Sequence, residues 1–308
     1  MEIIESLKEL LGWDDPPVVV VPKAQRRIQA KASIEAWLER QTTPQYKLAP
    51  YKFAERLRAL VDAPQTLRQG AYGWCLPAAF LNSVLRRFPD VAVQFGLDLY
   101  ATGEASIGDI EATMSDTFRA FDYPEAIRAA YGSDERARDL FLLSHADWLL
   151  LAGIEQATHA VFSVTGEFNQ LVSLTTGALV KLFEDSGLYA AVSDLSAADK
   201  RDRQKLLEAL NKSATHDVVM VADMKRFGPT GLTRHAGRLV SAPTVTTSGN
   251  SPNPADNEMI ALQYWSWGFQ PTRANDLPFD AEENAFTISM SRRQFINVDI
   301  VVAEPKPI

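Results

Sequence analysis

The strongest constraint on this chain is a change of texture near Thr215. Upstream, apolar residues recur three and four places apart, as in Leu76, Ala79, Phe80, Val84 and Phe88. That spacing lines one face of a helix. Downstream, short apolar runs (Val218 to Val221, Arg238 to Val240, Ile260 to Trp265, Ile296 to Val302) are divided by Gly, Pro, Ser and Asn clusters, the pattern of strands. Helices first and strands later predict an α+β arrangement of two lobes. Helices are expected near 106–120, 123–130, 134–161 and 196–211, and Thr244 to Asn257 is expected as a long mobile loop. Residues 1–60 form an N-terminal extension of different punctuation. A helix over Glu2 to Leu11 ends at Asp14-Asp15-Pro16-Pro17, because proline forbids its continuation. A short Val run and helices around Ser33 to Gln41 and Lys52 to Val61 follow. The extension reads as a regulatory or pro-segment packed beside a 61–308 domain, which divides into a helical lobe, 61–211, and a β-rich lobe, 212–308.

Charge and cysteine usage narrow the function classes. The formal net charge is −8 and the basic residues form no long block, so a nucleic-acid footprint is not expected. One cysteine, Cys75, is available; it can form no internal disulfide and no zinc-thiolate cluster. No EF-hand loop or metal-ligand spacing occurs, and no metal or cofactor is expected. The first helix is broken by Glu5, Lys8 and Glu9 and has no signal-peptide core. The Val18 to Val21 run is too short to span a bilayer. The expected location is cytoplasmic, or exported without a cleaved signal, with no membrane partner.

The segment that carries chemistry is Gln69-Gly70-Ala71-Tyr72-Gly73-Trp74-Cys75-Leu76-Pro77-Ala78-Ala79-Phe80. It reads as a glycine-bearing loop that delivers a lone thiol to the start of a helix, with Pro77 in the first turn. The positive end of the helix dipole favours thiolate there. Gln69 offers an amide donor, and with the Cys75 backbone N–H it could form an oxyanion hole. A buried core cysteine is the commoner fate of a lone thiol; the Gln, the glycines and the helix start together favour the functional reading.

The Gln-Gly-x-x-Gly-x-Cys pattern resembles the nucleophile segment of papain-like cysteine peptidases, and Leu76, Ala78 and Ala79 lean it toward the calpain family. Gly231-Leu232-Thr233-Arg234-His235-Ala236 resembles the family's histidine segment. Ile260 to Gly268 resembles the strand ending in Asn-x-Trp-Gly, and Phe286 to Ser291 with Phe295 and Ile300 the closing strands. The resemblance implies a papain-like two-lobe fold and a cysteine endopeptidase acting on protein or peptide substrates. It implies a thiolate–imidazolium pair of Cys75 and His235, with Gln69 as oxyanion donor. His216 is the rival histidine, since it too precedes an apolar strand, while His145 and His159 sit in helical sequence. One departure stands out: the family's orienting Asn falls on Trp265, which offers an imidazole N–H no acceptor. Gln263, two residues earlier on the same strand, is the candidate substitute. Deamidation or transglutamination on the same fold, a pseudoenzyme that binds protein, and a plain structural protein are the alternatives. A stand-alone domain of this kind would also suit an effector or toxin.

Overall fold

The run that begins at Cys75 is apolar on every side, and it forms the central helix. Cys75–Arg87 buries every residue from Leu76 to Leu85, as a helix apolar all round must. Phe88 closes it with an N–H to the Val84 carbonyl at 2.6 Å, and Pro89 opens the next helix, Pro89–Thr102. The computed structural model describes residues 21–40, 46–70, 72–158, 175–195, 202–222, 235–247, 257–265, 279–291, 295 and 298–307. Within it, helices Pro50–Asp62, Pro89–Thr102, His145–Thr158 and Thr176–Asp185 pack around the central one.

Lys23–Arg40 begins ten residues before the expected Ser33, and it joins the same core. Ala30, Ile34 and Trp37 from this helix, and Phe53, Leu57 and Leu60 from Pro50–Asp62, are buried with Phe80, Phe95 and Leu150. Trp37 meets Tyr100 edge-on at 5.1 Å. A boundary at residue 60 therefore has no counterpart in the packing of the described residues. The expected Glu2 to Leu11 helix lies outside them.

Two further expectations are corrected. Residues 106–120 are not one helix: β1 (Glu104–Ile107) and β2 (Ile110–Thr113) form a hairpin, and only Asp116–Ala120 is helical. The signal was Gly108-Asp109, a two-residue hairpin turn. Gly108 has φ +58, and a Cβ there would stand 2.4 Å from the Ser186 carbonyl oxygen. The expected 134–161 helix is two, Glu135–Phe141 and His145–Thr158. At the break, the Tyr123 hydroxyl donates to the Leu143 carbonyl at 2.7 Å.

The remaining strands make one antiparallel sheet: β3 (Tyr189–Asp194), β4 (Asp217–Ala222), β5 (His235–Leu239), β6 (Thr244–Thr247), β7 (Glu258–Trp265), β8 (Phe279–Asp280), β9 (Ala285–Ser291) and β10 (Asp299–Pro305). The order is β3-β10-β4-β5-β7-β9-β8, with β6 also on β7. Thr244 to Thr247 is thus strand, not loop; 248–256 lies outside the described residues. Nor does the lobe boundary fall at 211, since β3 belongs to the sheet.

Successive side chains of a strand point to opposite faces, and both faces are covered at the central strands β4 and β5. Val219, Val221, Ala236 and Trp265 join the helical core, whereas Val218, Met220, Leu239, Leu262 and Tyr264 face a second core. That second core includes Leu206 and Leu210 from the helix Arg203–Asn211. The strands consequently read as unbroken apolar runs. The chain is a helical region followed by a β-sheet region, in layers of helices, sheet and one short helix.

Polar ties fix the central helix to the sheet. Arg238 donates from Nε to Asn82 Oδ1 at 2.9 Å, and Asn82 donates to the Pro64 carbonyl at 2.7 Å. Trp265 Nε1 donates to the Gln65 carbonyl at 2.8 Å. Arg87 pairs with Asp217 at 2.6 Å, and the Tyr189 hydroxyl donates to the same carboxylate at 3.1 Å. Because these side chains are largely buried, removing one partner would strand the other without water.

Candidate active site

The thiol sits where the first turn of a helix leaves N–H groups without acceptors. Trp74, the residue before the helix, provides no side-chain cap. The backbone N–H groups of Cys75 and Leu76, together with that of Ala236 from β5, lie near enough to the sulfur to favour its anion. Cys75 remains partly exposed.

Burial is the dominant influence on this thiol and pushes its pKa above the ordinary value. The Ala236, Leu76 and Cys75 N–H groups pull the other way, and a negative charge on Glu155 pushes it further up. The net influence favours the neutral thiol.

His235 opens β5, next to the residue whose N–H meets the sulfur. Two residues remote in sequence are thus brought to one place in backbone terms. The imidazole is 3% exposed, and burial depresses its pKa to about 4. Burial thus favours the neutral form of each group. The register pairs His235 with Ala222 and Ala236 with Val221. Strand alternation consequently assigns Ala236 and Arg238 to the face of the central helix, and the His235 Cβ to the face of Gly237 and Leu239.

Gln69 lies close by and is 6% exposed. Its Nε2 donates to the Tyr72 carbonyl inside the same loop, while its Oε1 is buried with no hydrogen-bond partner. The amide is engaged within the loop rather than turned to the sulfur as a free donor.

Gln263 is not brought to the site. Its carbonyl accepts from the Val240 N–H at 3.0 Å, so it stands five strand residues along from His235, about 17 Å. Its side chain also shares a face with Trp265 rather than with Gly237. Register, which the sequence does not reveal, overturns its expected role as orienter. Trp265 itself is fully buried and ties the sheet to the turn that precedes Gln69. The rival His216 is at the other end of β4, 3.8 Å from Glu304. His145 heads its own helix, away from the sheet. Gly231 to Arg234, His159 and Trp267 lie outside the described residues.

Three participants were not anticipated. Ala236 contributes its N–H, which no side-chain pattern reveals. Tyr264 spans the far face of β5 and donates to the His235 carbonyl at 3.0 Å. Its ring occupies the space a side chain at 237 would need: a Cβ there would meet Tyr264 Cζ at 2.3 Å. Glu155 is completely buried on His145–Thr158, and burial lifts its pKa to about 8. Its signal was present in the sequence. It falls four residues after Leu151 and seven after Trp148, in phase with a buried stripe.

Among the described residues no cluster of three or more His, Cys, Asp or Glu could hold a metal ion, and no helix is long and apolar enough to cross a membrane. The chain matches no protein-family model, no curated protein and no solved structure.

Proposed function

We propose that this chain is a cysteine-dependent acyl-transfer enzyme, a protein or peptide hydrolase built on the papain-like, calpain-type plan. One observation carries the reading: a half-buried cysteine at the head of the central helix, with the backbone N–H of Ala236, the residue after His235, among the groups that favour its anion. Donors that can receive a sulfur anion suit the charged species of acyl transfer.

The chemistry starts from neutral partners. His235 is the first residue of β5, beside Ala236, and the reading requires its imidazole to come round the strand end to within hydrogen-bond reach of the thiol in the substrate complex. His235 takes the thiol proton as sulfur bonds to the carbonyl carbon and the C=O π pair moves onto oxygen. The Cys75 N–H and the Gln69 amide, released from the Tyr72 carbonyl, hold that oxyanion. The tetrahedral species collapses, the C–N bond breaks, and His235 protonates the leaving amine. Water, deprotonated by His235, then cleaves the thioester and restores the thiol. Deamidation or transglutamination would use the same thioester with a different amide or acceptor.

A second reading, a catalytically silent protein-binding module, draws on the Gln69 amide engaged by Tyr72 and on Trp265 at the orienting position. One comparison separates the readings: wild type, Cys75→Ala and His235→Ala incubated with a cell proteome, with products identified by mass spectrometry. The hydrolase reading expects new peptide termini from wild type only. A 1 Da shift or a cross-link identifies the other acyl transfers, and equal outcomes for all three proteins sink the enzymatic proposal.

A further inference from the structure

Acidic residues outnumber basic ones in the chain, 39 to 31, yet the junction of two helices with the sheet is cationic. Lys23, Arg26 and Arg27 lie at the start of Lys23–Arg40, whose first turn contains no acid. Cations there oppose the positive end of the helix dipole. The last turn of Cys75–Arg87 adds Arg86 and Arg87, and β5 adds Arg238. These groups converge. Arg26 lies over the Phe88 ring at 5.3 Å. Burial, and after it the charges of Arg27, Arg86, Arg87 and Arg238, lower the pKa of Lys23.

The carboxylates among them are already taken. Asp90 pairs with Arg26 at 2.8 Å, Asp217 with Arg87 at 2.6 Å and Glu283 with Arg86 at 3.1 Å. Lys23 and Arg27 have no ion-pair partner among the described residues. Arg238, with a side chain 4% exposed, reaches Glu283 only at 4.0 Å. Its Nη2 and the Nε groups of Arg26 and Arg27 are buried donors with no hydrogen-bond partner. Buried donors are normally satisfied, and here both the charge balance and the donor count lack an acceptor. Multiply charged oxyanions meet both needs, since guanidinium forks match phosphate geometry.

We infer that this junction binds a multiply charged phosphate-type anion, with Lys23 and Arg27 at its rim and Arg238 supplying charge from beneath. The place is the opposite end of the central helix from Cys75, about 20 Å away by helix rise. The inference is therefore independent of the reading of the thiol.

The test uses the full chain and titration calorimetry with orthophosphate, pyrophosphate and a nucleoside diphosphate, at ionic strength matched with chloride. The expected result is saturable binding of pyrophosphate that weakens as salt rises and falls at least about ten-fold in the Lys23→Gln/Arg27→Gln double variant. Lys23 is exposed and Arg27 half-buried, so the fold should survive, and an unchanged thermal transition without anion checks this. Arg58→Gln, a change at an arginine paired with Glu35, should bind like wild type. Tighter binding of the nucleoside diphosphate than of pyrophosphate would assign an organic phosphate; equal binding would assign the bare phosphate groups. Absence of binding to wild type, or equal affinity in wild type and the double variant, overturns the inference.

Discussion

At Cys75 two opposing influences act on one sulfur: burial disfavours the anion, and three backbone N–H groups favour it. Burial wins, so alkylation by iodoacetamide should accelerate only as pH rises beyond the ordinary thiol value of 9.0. The check is the alkylation rate of the single cysteine against pH. A rate already at its plateau by about pH 6 would reveal a thiolate–imidazolium pair in the free protein instead. At position 237 the constraint is steric. Gly237→Ala would drive a Cβ into the Tyr264 ring and within 2.6 Å of the Trp265 carbonyl oxygen. Overpacking of this kind costs about 3 kcal/mol, visible as a lower midpoint in urea unfolding. Cys75, His235 and Gln69 could be singled out from sequence because each occupies a place in a local pattern. Gln263 could not be judged in that way, since only strand register decides what lies opposite it.

At the scale of elements, buried polar ties hold the helices in place. Arg56 on Pro50–Asp62 pairs with Asp147 on His145–Thr158 at 3.1 Å and donates to the Thr66 carbonyl at 2.5 Å. The Asp147 side chain is only 1% exposed; Ser144 donates to it at 2.8 Å. Arg56→Ala would leave that carboxylate buried without its cation, and losses of about 3–5 kcal/mol are typical of such a break. Thermal or urea unfolding of the variant reads the effect; a loss below about 1 kcal/mol would mean that Ser144 and nearby groups suffice. Helix existence was legible from the three-and-four spacing. The β1–β2 hairpin is masked in the sequence because its Ile107 and Ile110 also fit a helical stripe. The break at Leu142 to Ser144 was hidden for a related reason: apolar residues continue across it, and a hydroxyl from Tyr123 satisfies the backbone there.

For the whole molecule, two buried titratable groups shape stability from opposite sides of neutrality. His235 has a folded pKa of about 4 against an ordinary 6.5. Its unfolded form binds a proton first, so stability falls as pH drops from 6.5 through 4, by up to about 3 kcal/mol. Glu155 has a folded pKa of about 8 against 4.5. Its unfolded form releases a proton first, so stability falls as pH rises from 4.5 through 8, by up to about 5 kcal/mol. Glu155→Gln should flatten the decline toward alkaline pH, and His235→Gln the decline toward acid. Urea midpoints measured from about pH 4 to about pH 9 test both, and parallel curves for all three proteins would contradict this account.

The amino-acid sequence alone determined the order of textures, helices followed by strands, and the placement of Cys75 at the head of an apolar helix. Those depend on interactions between near neighbours, which periodicity, proline and glycine record. Only the tertiary structure decided that the helices Lys23–Arg40 and Pro50–Asp62 share the main core and that β3 joins the sheet from beyond the expected boundary. It also decided that Gln263 stands away from His235, that the Ala236 N–H lies near the thiol, and that Glu155 lies buried within electrostatic range of it. Such outcomes depend on strand register and on which faces meet, and those are fixed by packing between segments far apart along the chain.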